Sequence, residues 1–274
     1  MPELPEVETV RRSLLPHIRR RRLLGVQVRD ARLRTPVDVA ALNALLPGRR
    51  ILGLRRRAKY LLFDFEGGAV LLVHLGMTGV LNVATGDRPL RKHDHILIEL
   101  EGGRQIRFHD PRRFGHFEAL PAGAESTHPR LRHLGVEPLG PEFAPVALAA
   151  AAAGKAQPIK NFLMDGRQVV GIGNIYACEA LFLARIHPRR AAGRLAGERW
   201  QRLARAVRHV LNDALTKGGT TLRDFADADG EAGYFGLRLR VYDREGLACR
   251  RCGRSVRRTV QAGRGTFYCP GCQR

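Results

Sequence analysis

The segment CRRCGRSVRRTVQAGRGTFYCPGC, residues 249–272, decides the fold at the C-terminal end of the chain. Two C-x2-C pairs are separated by sixteen residues, and each pair places two thiolates on one tight turn. Four thiolates satisfy the tetrahedral coordination of Zn²⁺, whereas lasting disulfides are disfavoured in a reducing cytoplasm. The sequence therefore predicts one structural zinc ion with four ligands: Cys249, Cys252, Cys269 and Cys272.

The predicted zinc ion has no open coordination position for a reacting water, so we expect it to have no catalytic role. Residues 238–274 carry ten arginines against two carboxylates. A basic ribbon of this kind is suited to holding DNA. The fifth cysteine, Cys178, falls in an apolar helical pattern and is predicted to be a buried small side chain.

The region before the ribbon has helical patterns. Residues 144–153 start it, and the stretch 158–186 predicts a short helix, a turn and a second helix that begins near Gly173. Apolar residues at helical spacing over 198–217 predict a longer amphipathic helix. The polar, glycine-containing stretch 220–237 is expected to be a loop.

Strand-length apolar runs fill residues 26–120, among them LLFDF, AVLLVHL, HILIEL and RQIRF, with EGG turns at 66–68 and 101–103. They predict an antiparallel β domain, and a helix over the first 18 residues precedes it. The expected fold class is α+β and multidomain. We expect three domains, which span 1–135 (β domain), 136–237 (helical domain) and 238–274 (zinc ribbon).

The formal net charge of +21 is the strongest global signal. Only five of the 47 basic residues are lysines, and guanidinium groups bind phosphates in a planar, bidentate way. The charge predicts a nucleic-acid partner, although an arginine-rich proteome would account for part of it. The sequence contains neither an apolar run long enough to span a membrane nor a secretory signal, so we expect a cytoplasmic protein.

The chain opens with MPELPEVETV, residues 1–10. Removal of Met1 would leave Pro2 with a secondary amine whose reference pKa is ~8, against ~10.4 for lysine. Such an amine can attack a sugar C1′ to give a cationic iminium, which acidifies the neighbouring carbon and favours elimination. Glu3 stands beside it to donate or accept a proton. The alternative is that Pro2 and Glu3 only cap the first helix.

Eight segments, spread in order over nearly the whole chain, resemble those of the bacterial formamidopyrimidine-DNA glycosylase family. These segments are MPELPEVETVRR (1–12), RRRAKYLL (55–62), HLGMTG (74–79), KHDH (92–95), DPRRFG (110–115), GIGNIYACEALF (171–182), GGTTLRDF (218–225) and GRGTFYCPGCQ (263–273). The resemblance implies an N-terminal β-sandwich led by a helix, a helix–two-turn–helix domain and a zinc ribbon, with double-stranded DNA as the substrate. It implies excision of oxidised purines such as 8-oxoguanine, followed by cleavage of the strand at the abasic site.

The resemblance also implies catalytic roles for four residues. Pro2 is similar to the Schiff-base nucleophile, and Glu3 to the acid that assists base departure and opening of the sugar ring. Lys59 matches the lysine implicated in the elimination chemistry. Arg264 matches the arginine assigned to phosphate contact and to the final elimination. Because an arginine rarely gives up its proton, we expect it to clamp phosphate rather than to donate a proton. For Lys59 an ordinary solvated lysine at a strand end is the alternative.

Further residues match DNA-binding positions of the family. Met77, Arg112 and Phe114 resemble the wedge that fills the gap left by an extruded base. For Met77 alone, core packing is the alternative. Phosphate-facing positions are matched by His93, Lys155 and Asn174. For His93, a histidine held in a turn near Asp94 is the alternative. Residues 220–234 resemble a segment that closes over the extruded base.

Two other functions stay open at the level of sequence. The endonuclease VIII-like glycosylases resemble this chain in architecture and in their N-terminal chemistry but prefer oxidised pyrimidines, and PELPEV and DPRRFG favour the purine branch. A non-catalytic zinc-ribbon DNA-binding protein would explain the charge and the cysteines, but not the Pro2-Glu3 start or Lys59. We expect a monomer, because one cleft enzyme needs no partner subunit.

Overall fold

The computed structural model describes residues 1–219 and 239–274, which fall into two compact units. The first unit consists of 1–132 with 217–219, and the second of 133–216 with 239–274. Three predictions lie outside the described residues. They are the loop at 220–237, the segment expected to close over an extruded base, and the domain boundary at 237/238. No helix in the two described stretches is long and apolar enough to cross a bilayer.

The first unit begins with helix α1 (Leu4–Ile18), which has a proline in its first turn as expected. Its apolar face is buried through Val7, Val10 and Leu14. A second helix, α2 (Val39–Leu45), was not predicted from the sequence. Eight strands complete the unit: β1 (Leu23–Val28), β2 (Ile51–Arg57), β3 (Tyr60–Phe65), β4 (Val70–His74), β5 (Val80–Thr85), β6 (Asp94–Leu100), β7 (Arg104–His109) and β8 (His116–Leu120).

The eight strands form two four-stranded antiparallel sheets, in the orders β1-β6-β7-β5 and β2-β3-β4-β8. Side chains from both sheets and from α1 share one hydrophobic core. Val10 of α1, Phe63 of β3 and Ile98 of β6 are all fully or almost fully buried in it. The predicted β-sandwich led by a helix is thereby confirmed.

The described residues of the second unit form four α-helices, a short 3₁₀ helix (Ala192–Arg194) and one β-hairpin. These elements are α3 (Pro145–Ala152), α4 (Ile159–Met164), α5 (Asn174–Leu183), α6 (Gly197–Thr216), β9 (Arg257–Gln261) and β10 (Arg264–Tyr268). The short helix, turn, second helix and long helix of the prediction are all present. Cys178 of α5 is 1% exposed and packs with Phe182, Val241 and Phe267. This apolar cluster joins α5 to the hairpin that carries the cysteines.

Candidate functional site

The start of α1 holds two buried carboxylates close to Pro2. Glu3 is 3% exposed and Glu6 is fully buried, and the Glu3 backbone N–H donates to Glu6 Oε2 at 2.8 Å. The positive end of the helix dipole favours negative charge at this position. Pro2 itself is buried. The fold therefore places the predicted nucleophile and acid in a shielded environment with a second carboxylate beside them.

Glu8 fixes α1 to strand β2. Its carboxylate accepts hydrogen bonds from Arg11, Arg12 and Arg56 at 2.8–3.3 Å. Burial raises the pKa of Glu8, but these guanidinium groups outweigh it and hold the pKa below its ordinary value. These ion pairs fix the position of α1 and therefore of Glu3, the N-cap residue at its start.

Lys59 lies in the two-residue turn between β2 and β3 and is half-buried. The preceding residue, Ala58, is buried and has φ +55°, in the left-handed region that costs energy for a residue other than glycine. Tyr60 after it pairs with His74 on β4, with ring centroids 5.0 Å apart. Burial first, and then the charge of Lys59, lower the pKa of His74 to about 4. A neutral imidazole therefore accompanies Lys59 at neutral pH.

The three predicted wedge residues lie on two turns of the β-sandwich. Met77, between β4 and β5, is 39% exposed, so the core-packing alternative for it is wrong. Phe114, between β7 and β8, is 38% exposed, and the Arg112 guanidinium lies 4.7 Å from its ring centroid. Large apolar side chains this exposed are available for stacking against a base.

His93 lies between β5 and β6 and is half-buried. Its ring meets those of His95 and His109 edge-on, with centroids 5.9 Å apart in each case. Its carbonyl oxygen accepts a hydrogen bond from the Asp110 N–H at 3.0 Å. The main chain thus connects the predicted phosphate contact to the turn that carries Arg112 and Phe114.

In the second unit, Arg264 begins β10 and is exposed. The turn before it contains Ala262 and Gly263, both with positive φ, as a tight two-residue hairpin requires. Asn174, at the start of α5, donates through Nδ2 to the Gly265 carbonyl at 2.9 Å. The structure therefore brings Asn174 beside the Arg264 hairpin. Lys155 follows α3. Its N–H donates to the Ala152 carbonyl, and its own carbonyl accepts from the Gly193 N–H, each at 3.0 Å.

The four cysteines meet the requirements of a zinc site. Their sulfur atoms lie within 4.8 Å of one another, with Cys249 Sγ 4.0 Å from Cys272 Sγ and Cys252 Sγ 3.4 Å from Cys269 Sγ. Zinc–sulfur bonds of ~2.3 Å at tetrahedral angles require sulfur separations of roughly 3.8 Å. Free thiols at this spacing fit one four-coordinate Zn²⁺ and leave no position for a catalytic water.

Three family models match the chain in order. They are the formamidopyrimidine-DNA glycosylase N-terminal domain over residues 1–117, the formamidopyrimidine-DNA glycosylase H2TH domain over 134–226, and the zinc finger found in FPG and IleRS over 246–274. The chain belongs to the formamidopyrimidine-DNA glycosylase family.

Known members of the formamidopyrimidine-DNA glycosylase family match the whole chain. The enzyme of Stenotrophomonas maltophilia (strain K279a) is 53% identical, and the alignment covers 100% of both chains. The crystal structure of the MutM (Fpg) protein from Thermus thermophilus is 46% identical with a TM-score of 0.88, over 99% of this chain and 98% of that one. A Lactococcus lactis Fpg mutant bound to DNA that contains Fapy-dG is 33% identical with a TM-score of 0.92, over 100% of both chains.

Sequence reasoning missed three residues that support this glycosylase site. Glu6 could have been found as the glutamate three residues after the N-cap of α1. Lys160 is 1% exposed and donates to Thr266 Oγ1 at 2.6 Å, two residues from Arg264. A lysine among apolar residues of the short helix α4, which contains Ile159, Phe162, Leu163 and Met164, was the available signal. The carboxylate of Glu179 accepts hydrogen bonds from three successive backbone N–H groups, those of residues 240–242. No local sequence pattern predicts this contact.

Proposed function

We propose that this protein is a bifunctional DNA glycosylase and AP lyase of base-excision repair. It excises oxidised purines, such as 8-oxoguanine and formamidopyrimidines, from double-stranded DNA and then cleaves the strand by β,δ-elimination. The observation that carries this proposal is the match to formamidopyrimidine-DNA glycosylases over the whole chain. Glu3 and Glu6 form a capping box at the start of α1, which holds the Glu3 carboxylate in a buried position close to Pro2.

In the proposed mechanism, Pro2 is the nucleophile once Met1 has been removed. Its nitrogen bonds to C1′ of the damaged nucleotide, and the bond from C1′ to the base breaks with its electron pair leaving on the base. Opening of the sugar ring then gives an iminium ion, which withdraws electrons and acidifies C2′. Loss of a C2′ proton expels the 3′ phosphate, and a second elimination expels the 5′ phosphate. Water finally releases Pro2.

Glu3 supplies the proton that the departing base and the opening sugar ring require. Its carboxyl group is almost completely shielded from water, which suits direct proton transfer to and from a bound substrate. Lys59 assists the elimination steps, and its positive charge contributes to keeping His74 neutral at neutral pH. In the second unit, Arg264, which lies next to Asn174, binds a phosphate of the DNA backbone.

The other predicted residues handle the duplex. Met77, Arg112 and Phe114 enter the stack where the damaged base leaves it, since a base must be extruded before an enzyme can reach its sugar. His93 and Lys155 contact phosphates. The net charge of +21 supports strong, salt-dependent attraction to DNA. We further propose that the protein is a cytoplasmic, nucleoid-associated monomer that acts on DNA and holds one structural Zn²⁺.

Excision from defined duplexes tests the proposed function. Single-turnover rates are measured on matched duplexes that carry 8-oxoguanine or an oxidised pyrimidine, with binding followed in parallel at fixed salt. We expect excision and strand cleavage on both, faster on 8-oxoguanine. Faster action on the pyrimidine would favour the endonuclease VIII-like alternative. DNA binding without any cleavage would leave only a zinc-ribbon binding protein.

A further inference from the structure

Asp110, at the end of β7, is a fully buried carboxylate. Each of its oxygens has a donor from a different place in the chain. The Thr78 hydroxyl donates to Oδ1 at 2.6 Å, and the Gly115 backbone N–H donates to Oδ2 at 2.8 Å. Both bonds are shielded from water, where hydrogen bonds to a charged acceptor are short and strong.

Three turns of the β-sandwich meet at this carboxylate and its main chain. Thr78 follows Met77 in the turn between β4 and β5, and Gly115 follows Phe114 in the turn between β7 and β8. The Asp110 N–H donates to the carbonyl of His93, which lies between β5 and β6. Asp110 therefore connects the three segments of this unit in which DNA contacts are predicted.

Thr78 is also bonded to the second turn directly. Its hydroxyl oxygen accepts from the Arg112 backbone N–H at 3.4 Å while its proton goes to Asp110. The two turns touch through their backbones as well, because a Cβ on Gly76 would lie 2.4 Å from the carbonyl carbon of Phe114. Close backbones and a directed hydrogen-bond chain leave the two turns little freedom to shift against each other.

We infer that Thr78 and Asp110 are positioning residues that hold Met77, Arg112 and Phe114 at the spacing needed to replace an extruded base. The inference rests on the proposed function and extends it to two buried residues behind the predicted wedge. Extruding a paired base has an unstacking cost, and side chains fixed in place beforehand offset it with the least loss of entropy. At an abasic site there is no base to extrude, so the same fixed spacing matters far less.

Thr78→Val tests the inference, because valine keeps the shape of threonine and removes its hydroxyl. The matched control is Thr85→Val at the other end of β5, where the threonine side chain is exposed and close to the Asp87 carboxylate. Thr78→Ser restores the hydroxyl, and Asp110→Asn removes the acceptor from the other side. Single-turnover rates are compared on 8-oxoguanine paired with cytosine and on a preformed abasic site, at a temperature where circular dichroism shows each variant folded.

We expect Thr78→Val and Asp110→Asn to slow excision of 8-oxoguanine by about 10- to 100-fold, the usual effect of a small misplacement. Cleavage at the abasic site should fall by no more than about 3-fold, and Thr78→Ser and Thr85→Val should match wild type within about 3-fold on both substrates. Equal losses on the two substrates would overturn the inference, since a general folding role acts on both. Rates that match wild type on both substrates would overturn the inference too. A wild-type protein inactive on both substrates would instead refute the proposed function.

Discussion

His74 is a residue whose charge the fold controls directly. Its Nδ1 accepts a hydrogen bond from the Gly76 N–H at 2.9 Å, which requires that this nitrogen be unprotonated. Burial and the charge of Lys59 lower its pKa to about 4 in the folded protein, whereas an unfolded histidine titrates near ~6.5. Between these two pH values the unfolded chain binds more protons than the folded one. The free energy of unfolding must therefore fall as the pH falls through this window.

The variant His74→Asn tests this linkage, because the asparagine oxygen can accept from Gly76 but does not titrate. We expect the wild type to lose on the order of 2 kcal/mol more than the variant between pH ~7 and pH ~4.5. Urea unfolding at both pH values measures the difference. Burial also lowers the pKa of His109 and His116. Both residues are present in the two proteins, so their contributions to the pH dependence cancel in the comparison. Parallel pH curves for the two proteins would show that His74 titrates normally.

Some of these residues could be selected from the sequence and others could not. The four cysteines and the Pro2-Glu3 start carry their chemistry in spacing and position, which a sequence displays. The partners Thr78 and Asp110 are 32 residues apart, so only the folded sheets reveal their bond. The left-handed backbone of Ala58 is equally invisible, since a residue-type pattern predicts glycine where φ is positive.

At the scale of the element, apolar periodicity predicted the type of most helices and strands. The long helix expected over 198–217 occurs at Gly197–Thr216, because a continuous apolar face determines it. Helix α2 escaped prediction since only Leu42 in it is buried and an aspartate cap rather than a periodic face marks its start. The pairing of β1 with β6 also could not be foreseen, because a long stretch of chain that holds four other strands separates Val26 from its partner Ile98.

The zinc ribbon is the element with the sharpest expected response to a change of conditions. Thiolate–zinc binding in small modules is worth on the order of 10–16 kcal/mol, so removal of the metal should unfold the hairpin β9–β10. Cys249 and Cys269 share a core with Cys178 and Phe182, so α5 should loosen as well. The first unit has its own core and should stay folded.

Hydrogen exchange resolved by peptide, before and after chelation, measures this response. Faster exchange is expected in peptides from α5 and the hairpin, with β3 and β6 unchanged and full reversal on return of zinc. Affinity for abasic-site DNA should fall in parallel, because Arg264 and Asn174 lose their support. Full DNA affinity in chelated protein would contradict a structural role of the metal.

At the scale of the whole molecule, the N-terminal reaction centre belongs to a strongly basic chain. Three family models cover most of the chain in order, and a charge of +21 provides long-range attraction to a polyanion. DNA binding alone does not explain why residues 1–117, which include Pro2 and Glu3, match the glycosylase N-terminal domain. We therefore expect the chemistry to pass through a covalent bond between DNA and Pro2.

Borohydride trapping followed by peptide mapping tests this claim most directly. Protein lacking Met1, as verified by mass spectrometry, is incubated with 8-oxoguanine duplex and reduced, and the adduct is located by tandem mass spectrometry. Protein that retains Met1 is the matched control, since its Pro2 nitrogen is an amide. We expect an adduct on Pro2 in the first protein and none in the second. An adduct on Lys59, or equal trapping by protein that retains Met1, would contradict it.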